Sequence, residues 1–306
     1  MYFTIHISFF AIVLNKNSFR RMAVAFKITK MIDLDSIDFL VDVEAPEVAE
    51  RFHPGQFVML MTRKEGERIP MSVMKVDDGK ITMFIRKLGK TSKELRDGMT
   101  SFENVIGPLG NGIEEKAYGT VVVVSDAVCG HAENYAICDA LGKIEGNNII
   151  SIQTFPSKKE VYPDEYLTKK IADRHFITTE DGSLGDKGSY VVTLKRLIEN
   201  GVKIDYVFGG GKLPTMKAVS TVLAINNIDN LFTTRQMMVD GSGMCGSCRV
   251  YIDGEMKLSC IDGPMFDSRK INWTRAMKRY GMFKKEEKKA NEYYEAHKGG
   301  CGQCQK

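Results

Sequence analysis

The chain has 306 residues, of which 43% are hydrophobic and 27% are charged, and its formal net charge is +4. This composition excludes a fibrous or intrinsically disordered protein, and so mild a charge gives no argument for nucleic-acid binding. The length suggests two medium domains, or two domains and a small module.

The N-terminal segment contains a short apolar run at residues 9–14. The run is too short to span a bilayer, and it lacks the basic start and the small-residue cleavage site of a signal peptide. We interpret residues 1–22 as an extension that is either disordered or the result of a start codon assigned too early, with Met22 as the true start. Without a membrane span, we expect a cytoplasmic protein.

Short apolar segments separated by turn signals follow in residues 23–112. The segments predicted as strands are 27–32, 39–45, 56–62, 71–76 and 80–88. Spacing of this kind is typical of a small antiparallel β-barrel or sandwich.

The pattern changes in residues 113–230. Thr120–Val124 is a continuous β-branched run, as expected for a strand that is buried on both faces of a parallel sheet. Further strands are predicted at 148–155, 174–180 and 204–210, in alternation with helices at 132–144, 164–172, 190–201 and 213–227. This alternation predicts a doubly wound α/β domain.

The cysteines are concentrated in the last quarter of the chain. There are seven of them: Cys129, Cys138, Cys245, Cys248, Cys260, Cys301 and Cys304. An odd count with tight clustering indicates metal ligation in a reducing compartment rather than a disulfide framework. We assign residues 231–270 to a small Cys-rich module and residues 271–306 to a charged tail, with a helix predicted over 274–298.

The tail ends in a C-x2-C pair, Cys301 and Cys304. Such a pair can ligate a metal or form a redox couple, but two ligands do not complete a site. It is either an inert terminus or a half-site that another chain completes.

The Cys-rich module carries the sharpest chemical signal. Asp240, Cys245, Cys248 and Cys260 follow the spacing D-x4-C-x2-C-x11-C in a glycine-rich loop. Plant-type [2Fe–2S] sites use C-x4-C-x2-C with a later fourth cysteine, so this loop predicts such a cluster with Asp240 at the first ligand position. Asp240 is either a carboxylate ligand to iron, which we favour, or an ordinary turn residue. The competing site is a structural zinc knuckle, which the x4 spacing and the glycines disfavour.

At these residues the chain resembles the ferredoxin-NADP reductase superfamily. Within it, the segments MVDGSGMCGSCRV and SCIDGPMFD resemble the small subunit of NADH-dependent ferredoxin:NADP oxidoreductases (the sulfide dehydrogenase beta type), a relative of dihydroorotate dehydrogenase electron-transfer subunits. The resemblance covers residues 22–267. It implies that residues 23–112 bind FAD, that 113–230 form an NAD-binding-like domain, and that an Asp replaces the first cysteine ligand.

Two segments of the barrel match the flavin motifs of that superfamily. The resemblance implies that Arg68 lies against the FAD pyrophosphate and that Ser72 faces the isoalloxazine ring. The first motif comprises Arg68, Ile69, Pro70, Met71 and Ser72. The second, at the start of a predicted helix, comprises Gly89, Lys90, Thr91 and Ser92. Amides and hydroxyls at a helix start can bind phosphate, although Thr91 or Ser92 can equally serve as a simple helix cap.

The nicotinamide-nucleotide motifs depart from the superfamily. Where a GGGxGxAP loop is expected, residues 125–132 read SDAVCGHA, and no Arg occurs in the loop at 153–157. The late loop at 209–216 is also altered. A carboxylate at Asp126 would repel a pyrophosphate. Our hypothesis is that the NAD(H) or NADP(H) pocket has been lost or remodelled.

These observations lead us to expect an iron–sulfur flavoprotein subunit of an oxidoreductase, in which FAD handles electron pairs and the cluster handles single electrons. The resemblance implies a larger glutamate-synthase-like iron–sulfur flavoprotein partner, contact with ferredoxin or other redox subunits, and a role in electron bifurcation. We assign no catalytic side chain. The alternatives are a docking subunit with a cluster only, or an NAD(P)H-linked reductase with a remodelled pocket.

Overall fold

A computed structural model describes residues 25–297. The extension predicted for residues 1–22 and the Cys301–Cys304 pair lie outside the described residues. Within residues 25–297, no helix is both long enough and apolar enough to cross a bilayer.

The first part of the described chain is an antiparallel barrel. Its strands are β1 (Phe26–Asp33), β2 (Asp38–Glu44), β3 (Phe57–Met61), β4 (Arg68–Asp77), β5 (Lys80–Arg86), β6 (Ser101–Phe102) and β7 (Asn104–Leu109). They pair in the order β6-β1-β2-β5-β4-β3-β7, and every pairing is antiparallel. Two short helices, α1 (Pro46–Arg51) and α2 (Lys90–Arg96), lie between strands. The predicted barrel is confirmed.

Strand β2 shows why the barrel packs on two sides. Successive side chains of a strand point to opposite faces. Phe39, Val41 and Val43 are buried in the barrel core. Leu40 instead joins an apolar cluster that includes Phe155 and other side chains from the second half of the chain. One strand therefore serves both the barrel core and the contact with the next domain.

The second part is the doubly wound α/β domain. Its main strands are β8 (Thr120–Asp126), β9 (Asn148–Phe155), β10 (Arg174–Thr179), β11 (Asp186–Lys187), β12 (Tyr206–Gly210) and β13 (Asp229–Thr233). The helices between them are α3 (Val128–Leu141), α4 (Tyr190–Glu199) and α5 (Leu213–Ile225). The strands run parallel in the order β11-β10-β9-β8-β12-β13. The predicted α/β fold is confirmed.

The Cys-rich module and the tail complete the described chain. The module contains β14 (Arg249–Ile252), β15 (Glu255–Leu258) and β16 (Met265–Phe266), and the tail contains α6 (Trp273–Tyr280) and α7 (Lys284–His297). Strands β14 and β15 form a hairpin, and β16 adds antiparallel to β13 at the edge of the parallel sheet. The single helix predicted over 274–298 is thus two helices, separated at Gly281.

The helix predicted at residues 164–172 is wrong. The segment contains only two short 3-10 turns, Asp164–Tyr166 and Thr168–Lys170, with Leu167 in an extended conformation between them. The amide of Thr168 donates to the side chain of Gln153, and its hydroxyl donates to Ser151 at 2.7 Å. These tertiary hydrogen bonds to β9 replace the local bonds of a helix.

A buried ion pair ties the barrel to the α/β domain. The Asp38 carboxylate has no solvent exposure and accepts two hydrogen bonds from the Arg86 guanidinium, each at 2.7 Å. It also accepts the hydroxyl of Tyr162 from the other domain at 2.7 Å. The hydrogen bonds to Asp38 raise the pKa of Arg86, so the guanidinium remains charged.

We expect Asp38→Asn to destabilise the protein by about 3 kcal/mol, because it leaves the largely buried Arg86 cation without its counter-charge. Urea unfolding of the whole chain measures the change. The control is Glu114→Gln, which removes an exposed pair with Lys116 and should leave the unfolding midpoint unchanged. Equal midpoints for the two variants would contradict the structural importance of the Asp38 pair.

Candidate functional site

A cavity of about 800 Å³ lies between the barrel, the α/β domain and the tail. Strand β4 and its neighbour β3 supply the barrel wall. Helix α3 and the segment after β13 supply the opposite wall, and Tyr280, Lys284 and Glu287 of the tail close one side. Pockets of this size typically hold a cofactor or a drug-sized ligand.

The first predicted flavin motif lies in the wall of this cavity. All five of its residues line the cavity, namely Arg68, Ile69, Pro70, Met71 and Ser72. Phe57 pairs with Ser72 across β3 and β4 and lines the cavity as well. Among residues 25–297, Arg68 has no ion-pair partner, so its charge is free to meet an anionic group.

The second predicted motif lies at the edge of the cavity. Leu88, just before it, lines the cavity, whereas Gly89, Lys90, Thr91 and Ser92 do not. The Ser92 hydroxyl accepts the backbone amides of Leu88 and Gly89 at 3.1 and 3.2 Å. The Thr91 hydroxyl donates to Glu67. These hydroxyls shape the loop and cap α2, and their assignment to a phosphate stays a prediction.

The predicted cluster ligands occupy one loop beside the barrel. The sulfur atoms of Cys248 and Cys260 are both buried and lie 3.3 Å apart. Cys245 is exposed. The Asp240 carboxylate accepts the amides of Ser242 and Cys245 at 2.7 and 3.0 Å. Within residues 25–297, no three His, Cys, Asp or Glu side chains converge as a metal site, so ligation by this set stays a prediction.

Glycines give the cluster loop its close turns. Gly241 and Gly243 have positive φ angles of 78° and 84°, which side-chain-bearing residues adopt only at a cost. A Cβ atom on Gly243 would also lie 2.7 Å from Ile261. Only glycine therefore lets the loop fold against the segment that carries Cys260.

An apolar contact connects the cysteine pair to the cavity. Cys248 and Cys260 belong to the same buried cluster as Phe57 and Met59 of β3, with Met238 packed against it. Phe57 and Met238 also line the cavity. A single layer of side chains thus separates the cysteine sulfurs from the cavity interior.

Sequence reasoning missed several residues in the cavity wall, among them Glu133 of α3. Its Oε1 accepts the Ser72 hydroxyl at 2.8 Å, and its Oε2 accepts the Thr233 hydroxyl at 2.6 Å. Burial raises the pKa of the Glu133 carboxyl above its usual value, and the bonds from Thr233 and Ser72 only partly oppose this. The available signal was an acidic residue directly after the altered segment 125–132.

The altered nucleotide loops are filled by the chain's own side chains. The Asp126 carboxylate accepts the amide of Lys212 and the hydroxyl of Thr215 at the start of α5, both at 2.6 Å. The His131 ring stacks on Phe155 with a centroid distance of 4.4 Å. Burial lowers the pKa of His131 to about 3, so the ring is neutral. A pyrophosphate at the turn between β8 and α3 would meet the Asp126 carboxylate.

Comparisons with known proteins agree with this architecture. Residues 235–272 match the model of the iron-sulfur cluster binding domain of dihydroorotate dehydrogenase B. A dihydroorotate dehydrogenase B electron transfer subunit homolog from Thermotoga maritima is 35% identical over 83% of this chain and 89% of the relative. An uncharacterized protein encoded near adh in Clostridium beijerinckii is 33% identical over 90% of this chain and 98% of the relative.

Solved structures show the same similarity. A chain from the structure of the NADH-dependent reduced ferredoxin-NADP oxidoreductase, described in relation to flavin-based electron bifurcation, has a TM-score of 0.81 and 32% identity. The match covers 88% of this chain and 98% of that one. The ferredoxin reductase of carbazole 1,9a-dioxygenase, at 15% identity and a TM-score of 0.58, shares the fold.

We expect Arg68→Ala to weaken FAD binding by about 10- to 100-fold, because a charged hydrogen bond to phosphate contributes about 1.5–3 kcal/mol. Flavin fluorescence during reconstitution of the flavin-free protein measures the dissociation constant. Arg51→Ala, at an exposed position in the last turn of α1, is the matched control and should bind normally. Unchanged affinity in Arg68→Ala would remove this residue from the site.

Proposed function

Since the chain belongs to the family of dihydroorotate dehydrogenase B electron-transfer subunits, we propose that it carries electrons between FAD in the cavity beside β4 and a [2Fe–2S] cluster on the 240–260 loop. It is an electron-transfer subunit of an oxidoreductase and works with a partner subunit. The observation that carries the proposal is the buried cluster of Phe57, Met238 and the cysteine pair, which joins the cavity wall to the loop.

The residues of the cavity fit a flavin nucleotide. Arg68, which has no ion-pair partner in the described part of the chain, suits a diphosphate, and apolar side chains such as Phe57 and Met71 suit a flat aromatic ring. The buried Oε1 of Gln236, which lines the same cavity, has no hydrogen-bond partner among the described residues. A bound ligand with a donor group would satisfy it. When bound, FAD exchanges electrons in pairs.

The loop fits an iron–sulfur cluster. Two cysteine sulfurs 3.3 Å apart are close enough to ligate one iron, and Cys245 and Asp240 lie on the same loop. For Asp240 to bind iron, its carboxylate must exchange one of its two amide hydrogen bonds or use its remaining lone pairs. We keep Asp240 as the proposed fourth ligand because it stands at the first cysteine position. When bound, the cluster carries single electrons.

We further propose that the nicotinamide pocket is remodelled. The Asp126 carboxylate lies at the turn between β8 and α3, where a dinucleotide pyrophosphate binds in doubly wound folds, and it is bonded to the start of α5. Arg235, a cation in the cavity wall, donates to the carbonyl of Gly211 at 3.0 Å. An ordinary NAD(H) pyrophosphate has no place in this arrangement, and the flavin would exchange electrons with a protein partner or a changed ligand.

The proposed partner is a larger glutamate-synthase-like iron–sulfur flavoprotein, with ferredoxin or other redox subunits beyond it. Exposed apolar side chains surround the cluster loop, with Val239 54%, Met244 88% and Ile261 47% exposed. Such a surface beside a one-electron carrier suits protein docking. We propose that the complex of this chain with its partner takes part in flavin-based electron bifurcation, because the related solved structure is described in relation to that process.

We expect anaerobically purified protein to contain two iron and two sulfide ions per chain, together with flavin that acid releases. Cys248→Ser should lose the cluster, because its sulfur is one of the buried pair. Iron and sulfide assays with a visible spectrum measure this. Cys138→Ser, inside α3 and away from the loop, should keep it. One zinc ion per chain, or a cluster without flavin, would overturn the proposal in its present form.

We expect stoichiometric NADH or NADPH to leave the flavin of the isolated subunit oxidised over minutes, because Asp126 blocks the pyrophosphate position. Anaerobic absorbance at the flavin band measures this, and dithionite serves as the positive control for reduction. Rapid bleaching by one equivalent of either nucleotide would show an intact pocket.

A further inference from the structure

We propose that Glu133 supplies and recovers the proton that accompanies electron transfer at the flavin, acting through the hydroxyl of Ser72. The inference rests on the proposed function, since it requires FAD in the cavity. It concerns Glu133, a residue that neither the cluster motif nor the flavin motifs contain.

The geometry places Glu133 at the junction of three elements. The residue belongs to α3, and its carboxyl oxygens reach Ser72 on β4 at 2.8 Å and Thr233 on β13 at 2.6 Å. All three residues line the cavity. Glu133 is only 7% exposed, so protons from bulk water reach its carboxyl through the cavity or through its partners.

Among residues 25–297, Glu133 forms no ion pair. The charge of Arg235 acts on it from a distance and opposes the effect of burial only in part. The other groups facing it are the two hydroxyls, the Cys129 thiol one turn earlier on α3, and the backbone of Gly210 at the end of β12. Burial raises the pKa of Glu133, which favours a neutral acid that can give up its proton.

A serine hydroxyl between a carboxyl group and a ring nitrogen can reverse its hydrogen bonds. The hydroxyl has one hydrogen and two lone pairs. When Glu133 is protonated, its O–H donates to Ser72 and the Ser72 hydrogen is free for an acceptor in the cavity. When Glu133 is ionised, Ser72 donates to the carboxylate and can accept from a donor in the cavity. The two arrangements differ by one proton moved along two hydrogen bonds.

These two arrangements match the two redox states of a flavin, whose ring nitrogen accepts a hydrogen bond when oxidised and carries a hydrogen when reduced. One-electron carriers, the cluster among them, supply two electrons but no hydrogen. The proton that accompanies the two electrons moves along two hydrogen bonds. Glu133 gives its proton to the Ser72 oxygen, so the Glu133 O–H bond breaks as a new Ser72 O–H bond forms. At the same time Ser72 gives its original proton to the ring nitrogen, so that O–H bond breaks as the ring N–H bond forms. Glu133 is left as a carboxylate, and removal of the two electrons returns the proton.

The test is redox-difference infrared spectroscopy of the flavin- and cluster-loaded protein, reduced with dithionite. We expect the C=O band of a protonated carboxyl to disappear on reduction, with a carboxylate band appearing. Glu133→Gln should abolish both changes, and Glu133→Asp should restore them at a shifted frequency. A role of Glu133 only in holding β4, α3 and β13 together would not produce this signal.

Stopped-flow reduction by dithionite gives a second readout. We expect flavin reduction in Glu133→Gln to be about 100-fold slower, the usual size of a general acid contribution. Glu199→Gln, the same substitution at an exposed position in the last turn of α4, outside the cavity, should match the wild type. Wild-type protein whose carboxyl bands do not change on reduction would overturn the inference, even if Glu133→Gln fails to fold. A protein without flavin would instead refute the proposed function.

Discussion

The contact between strand β4 and helix α3 is the constraint on which the rest of the architecture depends. Strand β4 is hydrogen-bonded to β3 and β5 within the barrel, so its position is set by the barrel core. Helix α3 follows the fully buried strand β8 of the parallel sheet. The bond from Ser72 to Glu133 joins the two. This hydrogen bond sets the separation of β4 and α3 beside the cavity. The Asp38–Arg86 pair, together with Tyr162, connects the same two domains at a second position.

Much of this architecture could be predicted from local sequence, because the signals are local. The TVVVV run predicts a buried strand by composition alone, and the cysteine spacing of the cluster loop is contained in 21 residues. The failed helix at 164–172 shows the limit of this reasoning. The spacing of its apolar residues is helical, but the Thr168 hydroxyl donates a hydrogen bond to Ser151 of β9. The local sequence does not show which distant residue a side chain will bind. Glu133 escaped prediction for the same reason, since Ser72 and Thr233 are 61 and 100 residues away along the chain.

The proposed loss of the nucleotide pocket requires no change of fold. Strand β8 still leads into helix α3, and β12 still leads into α5. The difference lies in the side chains. The Asp126 carboxylate accepts hydrogen bonds from the start of α5, and so supplies the negative charge that a bound phosphate supplies at other helix N-termini. The end of β13 lines the cavity through Thr233, so the parallel sheet remains part of the cavity wall.

The tail passes from the α/β domain across to the barrel, and this path affects how long a ligand stays in the cavity. Helix α7 reaches back from the α/β domain to the barrel, where Lys93 of α2 donates to Asn291 at 2.8 Å. Tyr280, Lys284 and Glu287 lie between the two ends of this crossing and border the cavity. A flavin in the cavity could leave on this side only after these polar contacts open. Slow escape of this kind suits a permanently held prosthetic group that cycles in place, rather than a co-substrate that dissociates after each turnover.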